Sequence, residues 1–358
     1  MLLLGFVASV HGQAAAPLKL IQKIPVPDVA GDFDHMAIDI QGQRLFVPAE
    51  EHSTVEVVDL RAGKRIRTIS DVSWPSTVAY NPRTNTIFVT DRSGGSIKVF
   101  SGETYELVKA IKLITGPDNA TYDPATQYFY SVSGGQWLGV PYTLIAIIDT
   151  ATKEHLGDIR VESANIQAMA IEPGTGPKKM YADMADKDQI AVIDLQKRAV
   201  ISTWPTSSEC QQPEAAAVDA AHHRLFVGSR MKPHTGEIGG GHQYEPGKLV
   251  VMDTETGKVV QVLDSVGGAD DLQYDAATSR IYFVGTTGTV AVFKEIDPDH
   301  YSLLGKVPTG ALAKTGLWVP ELKRMYIAVP KHLVQTPPYG ANDHIVEEAH
   351  LMVFEYVP

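Results

Sequence analysis

Short apolar runs punctuated by Gly, Pro, Asn and Asp set the pattern of this chain, and the segment from Thr77 to Leu113 shows the unit most clearly. TVAY, TIFVT, IKVF and YELVKAIKL are four β-branched or aromatic runs, with Asn81, Pro82 and Asn85 at the first turn, Ser93–Gly95 at the second and Gly102 at the third. Runs of this length and punctuation predict four antiparallel strands joined by hairpins. One such meander cannot bury both faces, so copies of it should stack.

The copies are present. Aligned on the residue before the first turn, the units fall at Ile38, Tyr80, Tyr122, Ile171, Val218, Tyr274 and Val319. An aromatic follows eight positions later at Phe46, Phe88, Tyr130, Phe226 and Tyr282; the fourth unit inserts two residues before Tyr181 and the seventh drops one before Tyr326. The third strand recurs as VEVVD, IKVFS, IAIID, IAVID, LVVMD, VAVFK and LMVFE. Seven such units predict an all-β, seven-bladed β-propeller of four-stranded antiparallel blades. The last blade ends one strand short, and LKLIQKIPV at Leu18–Val26 stands as a lone strand, so it should pair into that blade, close the ring and hide an edge.

The stretch NTIFVTDRSGGSIKVFSGET resembles the repeat of the YncE-like, YVTN-repeat seven-bladed β-propellers. The resemblance covers nearly the whole chain and implies a fold; propellers of this kind host unrelated activities, so it implies no single function.

A first segment, MLLLGFVASVHGQAAA, has a short apolar core and a small-residue end. It is expected to be a signal peptide over residues 1–16, with a single propeller domain over 17–358 and a periplasmic or secreted location. No other apolar run is long enough to span a bilayer. With 31 Lys and Arg against 42 Asp and Glu, the net charge of −11 argues against nucleic acid as a partner. A single cysteine, Cys210, excludes an internal disulfide and a CxxC pair. A monomer is expected.

Candidate chemistry follows from the repeat. Four positions before each aligned residue stand Asp34, Ser76, Asp118, Gln167, Glu214, Asp270 and Thr315, all polar; two positions before stand Met36, Val78, Ala120, Met169, Ala216, Leu272 and Leu317, all apolar. The contrast predicts a polar ring at the mouth of the central channel above a packed core. Converging carboxylates repel unless a positive charge lies between them. Asp34, Asp118, Asn119, Glu214, Asp270 and Asp271 are therefore the expected ligands of a divalent metal, Ca²⁺ first and Zn²⁺ or another transition metal next. The alternative is a hydrated channel with its charges paired locally.

Three long loops, Ser133–Thr143, Ser229–Lys248 and Pro330–His350, should build a cup over that mouth. They carry His234, His242, His332 and His344, which with His35 are the candidate general bases. Trp137, Arg230, Tyr244 and Tyr339 are the candidate walls and anchors for a small-molecule ligand or substrate. Neither a GxSxG elbow nor a phosphate-binding Gly loop is present. Two readings result: an exported metal-dependent hydrolase of esters, lactones or phosphoesters, or a non-catalytic extracytoplasmic propeller that binds a ligand or partner. An electron-transfer accessory is a weaker third, since no cofactor attachment site is present.

Overall fold

A computed structural model describes residues 16–230, 247–335 and 344–358. It is all-β apart from a single 3₁₀ turn at Gly135–Trp137. Seven four-stranded antiparallel sheets form the blades of a β-propeller, the first six each in the sequential order of a meander. Blade one, for example, runs Ala37–Asp39, Arg44–Ala49, Thr54–Asp59 and Lys64–Ile69. The seventh blade takes its outer strand from the start of the chain: Leu18–Pro25 pairs antiparallel with His350–Tyr356, from Leu18 opposite Tyr356 to Pro25 opposite His350. Ring closure by the N-terminal strand is thus as the repeat pattern predicts, and it covers what would otherwise be an open edge.

The repeat residues have clear local work. Asp59, Asp149, Asp194 and Asp253 end the third strands, and each accepts backbone N–H groups of the next turn. Asp59 takes those of Arg61 and Ala62 at 2.8 and 2.9 Å, and Asp253 those of Glu255 and Thr256 at 3.0 and 2.8 Å. That is the short-side-chain turn chemistry that stops a strand. The second-strand aromatics Phe46, Phe88, Tyr181, Phe226, Tyr282 and Tyr326 are fully buried between blades. Phe226 meets Tyr274 and Tyr301 of the next blade at ring-centroid distances of 5.1 and 5.5 Å. Burial of each such ring contributes roughly 2–3 kcal/mol.

Two details depart from the expectation. The loop from Pro330 to His350 holds a further two-stranded hairpin, His332–Gln335 with His344–Glu347. The apolar row below the polar ring does not seal the channel. Ala120, Met169, Ala216 and Leu272 line an open space of about 100 Å³ there, because small residues at two of these positions cannot meet across the axis.

The strand register also corrects the alignment in one blade. In the first six blades the aligned residue faces the one just before the second-strand aromatic, as Tyr80 faces Ile87 and Tyr274 faces Ile281. In blade seven the residue facing Met325, just before Tyr326, is Trp318 and not Val319. The ring position four residues earlier is therefore Lys314 rather than Thr315.

Candidate functional site

The first strands bring their starting residues to one face, where they line a polar cup of about 340 Å³. Its wall comprises Asp34, His35, Glu50, Arg92, Asp118, Asn119, Gln136, Trp137, Asn165, Gln167, Glu214, Arg230, Asp270 and Lys314. Two tiers build it. The inner tier is the set of first-strand ring positions. The outer tier lies four residues beyond the second-strand aromatics, where Glu50, Arg92 and Arg230 follow Phe46, Phe88 and Phe226.

Cations of the chain stand between the carboxylates. Lys314 Nζ lies 3.4 Å from Asp270 Oδ2, 3.5 Å from Glu50 Oε2 and 4.0 Å from Asp32 Oδ2. Arg92 Nη2 bridges Glu50 Oε1, at 3.0 Å, and Asp118 Oδ1. Arg230 Nη1 donates to Glu214 Oε2 and lies 3.9 Å from Asp270 Oδ1. His35 of blade one reaches past the inner end of blade seven to blade six, with Nδ1 3.0 Å from Asp271 and Nε2 3.3 Å from Asp34. On the opposite arc an amide ladder runs from Asn119 Nδ2 to Gln167 Oε1 at 2.9 Å, from Gln167 to Asn165, and from Gln136 to Asn165 at 3.1 Å.

Trp137 forms one wall. Its indole N–H donates to Asp118 Oδ2 at 3.1 Å, and its ring lies 4.6 Å from the Arg92 guanidinium, which faces Trp74 on another side at 5.7 Å. Cation–π contact and ion pairing together fix Arg92. Gly116 makes room for this wall. It sits at φ 79°, and a Cβ there would lie 2.5 Å from Trp137 Cβ. Trp137 itself remains 46% exposed at the mouth.

The electrostatics follow from this wiring. Burial opposes ionisation of Glu50 and Asp270, yet Lys314 with Arg92 or Arg230 outweighs it and holds both below their ordinary values. Burial likewise opposes charge on Lys314, but Asp270, Asp34 and Glu50 hold it well above its usual range. Burial also works against an imidazolium at His35, and Asp34 and Asp271 outweigh it and hold the ring well above its ordinary value. At two carboxyls burial prevails: it holds Asp34 well above its ordinary value, and it pushes Glu214 up to about 7, with Arg230 offsetting only part of that. A carboxyl that titrates there can give and accept a proton at neutral pH.

The residues expected from sequence do not all meet at one place. Asp34, His35, Asp118, Asn119, Trp137, Glu214, Arg230 and Asp270 come together on the cup wall. Asp271 lies just beneath, on the narrower space, with Oδ2 accepting the Gly316 N–H at 2.8 Å. His332 lies away from the cup, its Nδ1 2.9 Å from the Pro330 carbonyl and its Nε2 3.5 Å from Glu347. His344 is known as a strand position opposite Gln335. His234, His242, Tyr244 and Tyr339 lie outside the described residues.

Among the described residues, the metal-type groupings with donor atoms within 4.8 Å of one another are Asp32, Glu50 and Glu51 at the cup rim, and Asp219, His222 and Glu295 on the far face. The six expected ligands are instead spread around the ring, each with its own partner. Cys210 is buried without a partner thiol, and burial pushes its pKa up to about 12, which makes it a poor nucleophile.

Lys314, Glu50, Trp74, Gln136 and Asn165 were missed. Lys314 would have emerged had blade seven been aligned on Tyr326. The outer tier would have emerged from reading four residues past each aromatic.

No family model and no curated protein matches the chain. Solved structures do match. A chain of Kuenenia stuttgartiensis hydrazine synthase superposes with a TM-score of 0.67 at 16% identity, over 96% of this chain and 99% of that one. A chain of a mitotic checkpoint complex superposes with a TM-score of 0.70 at 10% identity, over 100% and 97%. At such identities the likeness establishes the fold alone. Fold and site together define a β-propeller with a charge-compensated polar cup at one end of its channel.

Proposed function

We propose that the cup binds a small polar molecule and that the chain is an exported, YncE-like ligand-binding propeller. The observation that carries this is the charge wiring: the ring carboxylates are met by Lys314, Arg92, Arg230 and His35. Such a site is preorganised, and it needs no bridging ion to relieve repulsion. Its lining of amides, carboxylates and guanidinium groups around one indole suits a hydroxylated or carboxylated solute of monosaccharide or small organic-acid size. The apolar leader supports export, which fractionation of full-length protein tests.

The binding test is tryptophan fluorescence and melting of the purified chain against monosaccharides, amino acids, dicarboxylates and lactones. A ligand should change Trp137 emission and raise Tm, and both responses should weaken in Arg230→Ala. No response across the panel, or an undiminished one in that variant, overturns the reading.

A second reading, turnover of an ester, lactone or phosphoester, is favoured by Glu214, a cup carboxyl that titrates near neutrality. Its metal-dependent form would draw on Asp34, Asp118, Asn119, Glu214, Asp270 and Asp271. Turnover lost both with a chelator and in Glu214→Gln would support it; turnover lost only in Glu214→Gln would support proton transfer alone.

A further inference from the structure

At the far end of the blades, away from the cup, first-strand carboxylates recur at the turn, and those of blades one and three are neutralised by a permanent cation. Asp39 of blade one accepts from Arg44 Nε and Nη2 at 3.0 and 2.7 Å. Asp123 of blade three is paired with Lys178 of the neighbouring blade. Blade five differs from these two. Its turn carboxylate is Asp219, and the residue matching Arg44 is Arg224. That guanidinium is turned away: Nη1 meets Asp253 at 2.8 Å, Nη2 meets Asp299 at 2.7 Å, and Nε donates to the Pro298 carbonyl at 2.8 Å.

What faces Asp219 instead is a second carboxylate, Glu295 from blade six, with one imidazole and one phenol. His222 Nδ1 lies 2.7 Å from Asp219 Oδ2 and 2.9 Å from Glu295 Oε1. Tyr274 Oη reaches Asp219 Oδ2, at 3.2 Å, and Glu295 Oε2. The ring nitrogen and the hydroxyl offer at most one proton each, and four carboxylate contacts share those two protons. The shortfall falls on Glu295: it is 4% exposed, and its Oε1 faces the cluster without a hydrogen bond, since one Nδ1 proton cannot serve both carboxylates. A buried carboxylate oxygen left open toward another carboxylate is costly unless a cation fills the gap. Solvent can deliver one, since the His222 side chain is 46% exposed.

We propose that Asp219 Oδ2, Glu295 Oε1 and His222 Nδ1 form a binding site for a divalent transition-metal ion of the Zn²⁺ class at the seam of blades five and six. A mixed set of imidazole nitrogen and carboxylate oxygen suits such ions, and three protein ligands leave a position open to water. A tetrahedral ion at ordinary bond lengths sets its donor atoms about 3.4 Å apart. The imidazole must therefore retreat by a few tenths of an ångström. It sits on a surface turn, where it has room to do so. Tyr274 then orients both carboxylates from outside the coordination shell.

The test uses full-length protein stripped with a chelator and titrated with ZnCl₂, and with CoCl₂ for its visible absorption. Wild type should take up a single tight equivalent, with a rise in Tm and a Co²⁺ spectrum of low coordination number. His222→Ala and Glu295→Gln, checked for folding by circular dichroism, should each lose the tight equivalent and the Tm rise. Asp32→Asn at the opposite rim should keep both. Absence of tight uptake in the wild type, or its retention in His222→Ala and Glu295→Gln, overturns the site.

Discussion

The cup and the underside of blade five both gather buried carboxylates, and they differ in what stands between them. Around the cup, Asp270, Glu50, Asp118 and Glu214 meet Lys314, Arg92 and Arg230, which stay charged at any pH the fold survives. On the underside, Asp219 and Glu295 share His222 and Tyr274, and the available arginine is engaged elsewhere. Acidic residues alone therefore do not reveal an ion site. A carboxylate cluster with permanent counter-charges is a finished hydrogen-bonding surface, while one that lacks them still has room for a cation.

The substitution that strains this comparison most is Lys314→Met. It leaves Asp270 and Glu50 buried with too little positive charge, and should cost about 3–5 kcal/mol in denaturant unfolding at neutral pH. Both carboxylates have lowered folded-state pKa values, so their contribution is present at neutral pH and lost as pH falls through the carboxylate range. The variant's deficit should accordingly shrink on acidification; a deficit independent of pH would mean that Lys314 acts through packing.

Glu214 should give an intermediate effect of opposite sign. Its carboxyl titrates at about 7 in the fold against 4.5 as the ordinary value, so the folded chain holds a proton that the unfolded chain has lost. Its contribution to stability is full below about 4.5 and falls away as pH rises to about 7. Glu214→Gln should flatten the melting curve against pH across that window, and an unchanged slope would refute the assignment.

The smallest effect belongs to the underside. In chelator-treated protein Glu295→Gln removes one of two facing carboxylates while an amide oxygen still accepts from Tyr274. It should leave stability unchanged or raise it by about 1 kcal/mol. A clear loss would place Glu295 with the compensated carboxylates of the cup.

Much of the fold was legible along the chain because it rests on local chemistry repeated seven times. Strand-ending aspartates such as Asp59 and Asp253, the aromatics Phe46 to Tyr326 and the lone strand at Leu18 each announce their role by position. Half of the cup was legible too, since Asp34, Asp118, Glu214 and Asp270 keep one place in the repeat. The cations that explain them were harder to see. A proline after Val319 drew the alignment of blade seven one residue out of register, which hid Lys314 behind Thr315. Side chains alternate faces along a strand, so a slip of one residue exchanges the group that reaches the cup for its neighbour.

The sequence by itself determined the number of blades, the closing strand and the acidity of the channel mouth, because periodicity is a property of the chain. Which charge meets which carboxylate was decided only by the tertiary structure. Arg44 turns inward to Asp39, whereas Arg224, at the same place in its own blade, turns outward to Asp299. The partners come from neighbouring turns and blades, and electrostatic energy depends on distances in space that no spacing along the chain records.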